Sequence, residues 1–166
     1  VGGHCIPYYP YFLIDRFDPE MRLLKTAREV NDSMPSFTVE KLAEELADEG
    51  DALDGATVAV LGLTYRPGVE ETRATPARPI CSALDERGAE VLAVDPMLTT
   101  ADDFAAELVD LPVLHDRDLD AAVLVTAHEE FAGLDWTAFD PMVVVDGRDV
   151  FFNDTATTEI YTIGGG

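Results

Sequence analysis

This sequence predicts an open α/β fold, a doubly wound parallel sheet preceded by part of a helical connecting unit. Continuous apolar, partly β-branched runs at 57–63, 91–95, 121–126 and 142–146 have the pattern of strands buried on both faces. Segments with helical spacing separate these runs, and strands that alternate with helices close into right-handed crossovers. The chain of 166 residues carries 47% hydrophobic side chains, enough for one respectable core.

Taken in order, residues 1–16 are expected to form a loop and an apolar lead-in, held extended or turned by Pro7 and Pro10. Asp18-Pro19-Glu20 carries a helix-start signal. Met21, Leu24, Ala27 and Arg28 follow with helical spacing, and the helix is expected to stop before Pro35. A second helix is expected over 38–49, with Val39, Leu42, Ala43, Leu46 and Ala47 on one face and Gly50 ending it. Acidic residues through 44–54 suggest a solvated hinge, so 1–54 reads as the helical unit and 55–150 as the sheet domain. Within the latter, 64–75 is a polar loop, and Thr75-Pro76 opens a helix that runs to Arg87 and stops at Gly88. Shorter helices are expected at about 101–108 and 128–139. The threonine-rich tail, 151–166, has neither helical nor strand periodicity of useful length. It resembles translated read-through of a sequencing adapter, with a natural frayed C-terminus as the alternative.

The net charge of −22, from 33 acidic and 11 basic residues, bounds the partners. A nucleic-acid binder would carry a basic stripe, and none is present. The acidity is spread along the chain, which suits a folded surface working in concentrated salt and points to a halophilic source. No run approaches the roughly 20 apolar residues of a membrane span, and no secretory signal is visible, so a cytoplasmic protein is expected. Cys5 and Cys81 make no metal or disulfide framework.

Four places carry chemistry. In Gly2-Gly3-His4-Cys5-Ile6-Pro7 a thiol stands beside glycines that let the backbone approach a bound group closely. It reads as a nucleophile or as a small residue in a tight turn. His4, its neighbour in an extended segment, would point the other way and is not expected to be its base. The loop after the first strand offers Arg66 and Arg73, planar cations suited to phosphate oxygens, or else ion-paired locally to Glu70 and Glu71. That loop lacks a Gly-x-Gly-x-x-Gly fingerprint, which disfavours an independent dinucleotide site. Arg148, just past the last apolar run, is a further anion contact or a surface arginine. Asp95 ends a strand, where it could meet a ribose or cap the next turn.

Three ordered segments resemble the C-terminal half of the UDP-glucose/GDP-mannose dehydrogenase family: Gly2 to Pro7 with Pro10 to Leu13, Ala27 to Asp32 with Met34-Pro35, and Val58 to Pro67 continuing through Thr72-Arg73 and Pro76. Asp95-Pro96 and Asp146-Gly147-Arg148 fall where that pattern expects them. The resemblance covers about 1–150 and implies a Rossmann-like UDP-binding domain at 55–150. It also implies that the chain is a fragment, lacking an NAD-binding domain upstream of Val1 and inactive alone. It further implies an NAD-dependent four-electron oxidation of a UDP-sugar 6-hydroxyl to a uronic acid. Cys5 would hold the intermediate as a thiohemiacetal and then a thioester. Gly2 and Gly3 would line the sugar, Tyr65, Arg66 and Arg148 would contact the substrate, and Arg73 and Cys5 would adjoin NAD. A homodimer or larger homo-oligomer is implied for the intact protein. The Gly-Gly-His-Cys-Ile wording resembles the branch acting on UDP-N-acetylhexosamines, notably UDP-N-acetylmannosamine, with UDP-glucose as the alternative sugar. Departures stand at Arg66 (usually lysine), Glu71 (usually aspartate), Ala74-Thr75 (usually Glu-Ser) and Tyr9 (commonly aspartate). Tyr9 and the absent domain also leave room for a non-catalytic nucleotide-binding module. A cysteine hydrolase is a third reading, but neither His115 nor His128 is tied to Cys5 by any motif.

Overall fold

The computed structural model describes residues 1–17, 21–134 and 143–150, together with the backbone of 159–162. Six parallel strands form one sheet: β1 (Thr57–Leu61), β2 (Glu90–Val94), β3 (Glu107–Leu108), β4 (Ala121–Leu124), β5 (Val143–Asp146) and β6 (Glu159–Thr162). Their spatial order is β3-β2-β1-β4-β5-β6, so the chain winds outward from β1 on one side and then returns to wind outward on the other. Registers such as Val60↔Ala93 and Val60↔Val123 align the central strands.

Alternation along these strands sends residues to two separate cores. Val58, Val60, Val91, Val123 and Val145 meet Val39, Leu42 and Leu46 of α2 (Arg22–Glu49) and Ile80, Cys81 and Leu84 of α3 (Ala77–Asp85). On the other face Ala59, Leu61, Leu92, Val94, Leu124 and Val144 meet Leu114, Leu119 and Phe131. The latter three come from or beside short 3-10 turns at Leu111–Asp116 and Glu129–Gly133 rather than from long helices.

Several expectations are corrected. The lead-in is a helix, α1 (Cys5–Phe17). Pro7 is its third residue, where the N–H has no intrahelical partner in any case, and Pro10 removes a single bond. Docking offsets that loss, because the Tyr11 hydroxyl donates to Asp32 Oδ2 at 2.8 Å and the Arg28 guanidinium lies over the Tyr11 ring. Burial opposes ionisation of Asp32, but hydrogen bonds from Tyr11 and Asn31 and the Arg28 charge hold its carboxyl below the usual range. Nor does Pro35 divide α2, which runs unbroken for 28 residues with Pro35 buried inside it. Burial of Val39, Leu42 and Leu46 outweighs one missing backbone bond. The supposed acidic hinge is the end of this helix, with Glu45 and Leu46 buried. A Schellman turn closes it, Gly50 N–H to Ala47 C=O and Asp51 N–H to Leu46 C=O.

The expected helix at 101–108 is a turn followed by β3. That at 128–139 is the 3-10 turn Glu129–Gly133, and its remainder extends into 135–142, outside the described residues, as do Asp18 to Glu20. In the tail, Glu159–Thr162 pairs in parallel with β5, so strand structure occurs where periodicity offered none. Leu84 is fully buried in the core shared by the sheet, α2 and α3. Leu84→Ala should therefore destabilise the fold by about 2–5 kcal/mol, read as a lower urea midpoint at unchanged slope.

Candidate functional site

In a sheet wound this way, ligands lie beyond the carboxyl ends of the strands near the reversal, here between β1 and β4. Gly62 sits at that point with φ +89°, and a Cβ there would fall 2.4 Å from the Thr126 carbonyl oxygen. Only glycine lets the loops after β1 and β4 meet so closely.

Asp95 is the turn cap of the two alternatives and something more. Its Oδ1 accepts the Met97 N–H at 2.9 Å, and its Oδ2 accepts the N–H groups of Leu63 and Thr64 at 2.7 and 2.8 Å. Buried and fully engaged, it has no face left for a ribose. The same bonds exclude a dinucleotide cradle at this turn, because Gly62 also gives its N–H to Val94.

Beyond Thr64 the loop reaches solvent. Arg66 is exposed and lies over the Tyr65 ring at 5.6 Å. Among the described residues neither Arg66 nor Arg73 pairs with the carboxylates of Glu70 or Glu71. Glu71 instead accepts the backbone N–H of Arg73 at 3.0 Å. Arg148, exposed at the end of β5, donates through Nε to the Val125 carbonyl at 2.5 Å. The buried Asp146 side chain holds the turn beneath it by accepting the N–H groups of Arg148 and Val150. Arg148 lines a cleft of about 130 Å³ with Met34, Pro35, Pro76, Ile80 and the end of β4. An adjoining cleft of about 300 Å³ is lined by Pro7, Arg28, Asn31, Asp32, Thr75 and Arg78.

The amino-terminal segment docks on this loop. Gly3 N–H donates to the Arg73 carbonyl at 3.0 Å, and the His4 ring meets the Arg73 guanidinium. A Cβ on Gly2 would lie 2.7 Å from the Ala74 carbonyl oxygen, and one on Gly3 2.9 Å from the Tyr65 ring. Gly3 also has φ +95°, and Ala74 itself is held at φ +47°. The two glycines therefore meet Tyr65 and Ala74, a reason for them different from lining a sugar. His4 is directed to Arg73 and Glu71, away from any role as base for the adjacent thiol.

Cys5 opens α1 and is exposed, whereas Cys81 is buried and its thiol is pushed up to about 12 by burial. Tyr9 stands one helical turn beyond Cys5, 59% exposed, with its ring 6.2 Å from that of Phe12. The sequence reading missed Arg28 as a cleft residue and the buried cluster of Thr64, Asp95 and His128. The signals available for them were an arginine inside an apolar helix face and two polar residues adjoining strand ends. Among the described residues no group of His, Cys, Asp or Glu could hold a metal ion, and no helix is long and apolar enough to cross a membrane.

The strand order, with its loops gathered at the carboxyl edge, defines a Rossmann-like domain. Residues 59–153 match the model of the UDP-glucose/GDP-mannose dehydrogenase family, UDP binding domain, and the chain belongs to that family. It is 31% identical over 154 residues to a UDP-N-acetyl-D-mannosamine dehydrogenase of Pyrococcus horikoshii, covering 90% of this chain and 35% of that protein. Another, from Methanocaldococcus jannaschii, is 36% identical over 135 residues, 81% of this chain and 29% of the relative. The crystal structure of an NDP-N-acetyl-D-galactosaminuronic acid dehydrogenase from Methanosarcina mazei superposes with a TM-score of 0.85 at 26% identity, covering 99% of this chain and 38% of that one. The chain thus spans about a third of the length of the relatives it matches.

Exposure of one thiol and burial of the other predict their reactivity. A native thiol titration should count one fast group, Cys5, and a second only after unfolding. Fast modification of Cys81 in the folded chain would contradict this arrangement.

Proposed function

We propose that this chain forms the UDP-binding and nucleophile-bearing part of an NAD-dependent UDP-N-acetylhexosamine 6-dehydrogenase, with UDP-N-acetylmannosamine as substrate. One observation carries the reading. The segment bearing the exposed Cys5 is docked by Gly2 and Gly3 onto the loop that carries Tyr65 and Arg66. The thiol-bearing segment is thereby held against the loop from which, in this reading, two side chains meet the nucleotide. Support for the sugar comes from relatives named as UDP-N-acetyl-D-mannosamine dehydrogenases and from the His4-Cys5 wording.

In this reading Arg66 and Arg148 hold the phosphate oxygens of UDP, and Tyr65 packs against the nucleotide. The Cys5 sulfur adds to the C6 aldehyde formed by the first oxidation, giving a thiohemiacetal. Loss of hydride from that tetrahedral carbon leaves a thioester, and water releases the carboxylate and the free thiol. When bound, NAD⁺ would supply the hydride acceptor for each oxidation. The turn after β1 does not fit that dinucleotide, since Asp95 and Val94 occupy its N–H groups. What this chain offers NAD is the exposed Arg73, so the chain alone should bind UDP without turning over.

Exposed Ile6, Tyr9, Phe12 and Leu13 on α1, with Leu23 and Val30 on α2, suit coverage by a second copy in the intact protein. The dispersed acidic surface suits a halophilic source.

Calorimetric titration with UDP should detect binding by this chain, weakened at least about tenfold by Arg66→Ala. The intact protein from the same locus should consume two NAD⁺ per UDP-sugar. Its Cys5→Ser variant should stop at the aldehyde. Two-electron stoichiometry, or unchanged uronate formation in that variant, would refute the mechanism.

A further inference from the structure

Thr64 immediately precedes Tyr65 and Arg66, and it is fully buried at the floor of the site. Its hydroxyl donates to Asp95 Oδ2 at 2.9 Å, its N–H reaches the same oxygen at 2.8 Å, and its carbonyl accepts the Thr126 hydroxyl at 2.6 Å. The last neighbour is His128, whose Nε2 lies 2.9 Å from Thr64 Oγ1 and 3.2 Å from Asp95 Oδ2. The Thr64 hydroxyl hydrogen goes to Asp95 Oδ2, so a hydrogen bond between Oγ1 and the ring needs the tautomer in which His128 Nε2 is the donor. The ring is buried and set edge-on to Phe131, at 5.5 Å between centroids and 80° between planes. His128 comes from the loop after β4, Asp95 from the end of β2, and Thr64 from the loop after β1.

We propose that His128 is a positioning residue for the nucleotide site. By fixing the Thr64 hydroxyl it sets the backbone path from which Tyr65 and Arg66 project. The ligand in this proposal rests on the UDP reading above, but the loop restraint does not. A histidine that merely fills the core would, when replaced, loosen the whole sheet evenly. A positioning residue acts on 63–66 first and is replaceable by another side chain that donates at the same place.

The test combines hydrogen exchange with UDP titration on the whole chain. In His128→Leu the amides of 63–66 should exchange about tenfold faster or more, while those of β1 and α3 keep their rates. Affinity for UDP should fall by about tenfold in the same variant and no further in the Arg66→Ala background. His128→Gln, whose amide can donate where Nε2 does, should restore both within about threefold. Thr64→Val should reproduce the local acceleration and stands in if His128→Leu fails to fold. Unchanged exchange at 63–66, or equal acceleration throughout the sheet, would overturn the proposal. Local acceleration in a chain that binds no UDP would uphold the restraint and sink the nucleotide reading alone.

Discussion

The place of Cys5 beside the loop after β1 depends on how closely one backbone segment can lie against another. Gly2 and Gly3 sit where a Cβ would strike the Ala74 carbonyl or the Tyr65 ring, and Gly3 adopts a left-handed conformation besides. Remove that approach and Cys5 loses its direct tie to the loop after β1, keeping only the packing of α1 on α2. Gly62 imposes the same constraint one layer down, where the loops after β1 and β4 are nearly in contact. Both contacts leave no room for a side chain, so the identity of the residue is dictated by backbone geometry and not by any chemistry of its own.

Asp95 shows how a polar residue at a strand end can be spent on architecture. Four hydrogen bonds converge on its carboxylate from the turn after β2 and the loop after β1. Buried backbone N–H groups need such partners, and a parallel sheet that exposes loops at one edge must supply them there. The outcome is a rigid floor beneath Tyr65 and Arg66. It also explains why the turn that holds pyrophosphate in dinucleotide folds is closed here.

The strands were legible because apolar runs such as Thr57 to Leu63 admit little else, and the doubly wound order follows from their alternation with helices. The exposed arginine loop and the thiol were legible from residue type in a chain otherwise poor in cations. What stayed hidden follows from tertiary context. Pro7, Pro10 and Pro35 signalled breaks, yet packing of α1 on α2 and of α2 on the sheet overrode each one. Of the two shorter helices expected, one is a turn leading into β3 and the other begins as the 3-10 turn Glu129–Gly133, and Leu114, Leu119 and Phe131 are the buried residues that such short segments bring to this face. The partnership of His128 with Thr64 spans 64 positions in sequence and leaves no periodic trace.

Helix α2 has a mechanical side. At 1.5 Å per residue its 28 residues make a rod of about 42 Å, clamped to the sheet along its second half through Val39, Leu42 and Leu46. The first half carries α1 through Tyr11, Asp32 and Arg28. The sulfur-bearing helix therefore takes its place from the same rod that packs on the sheet. The thiol is thus tethered twice, by a short strap at the glycines and by the long rod behind.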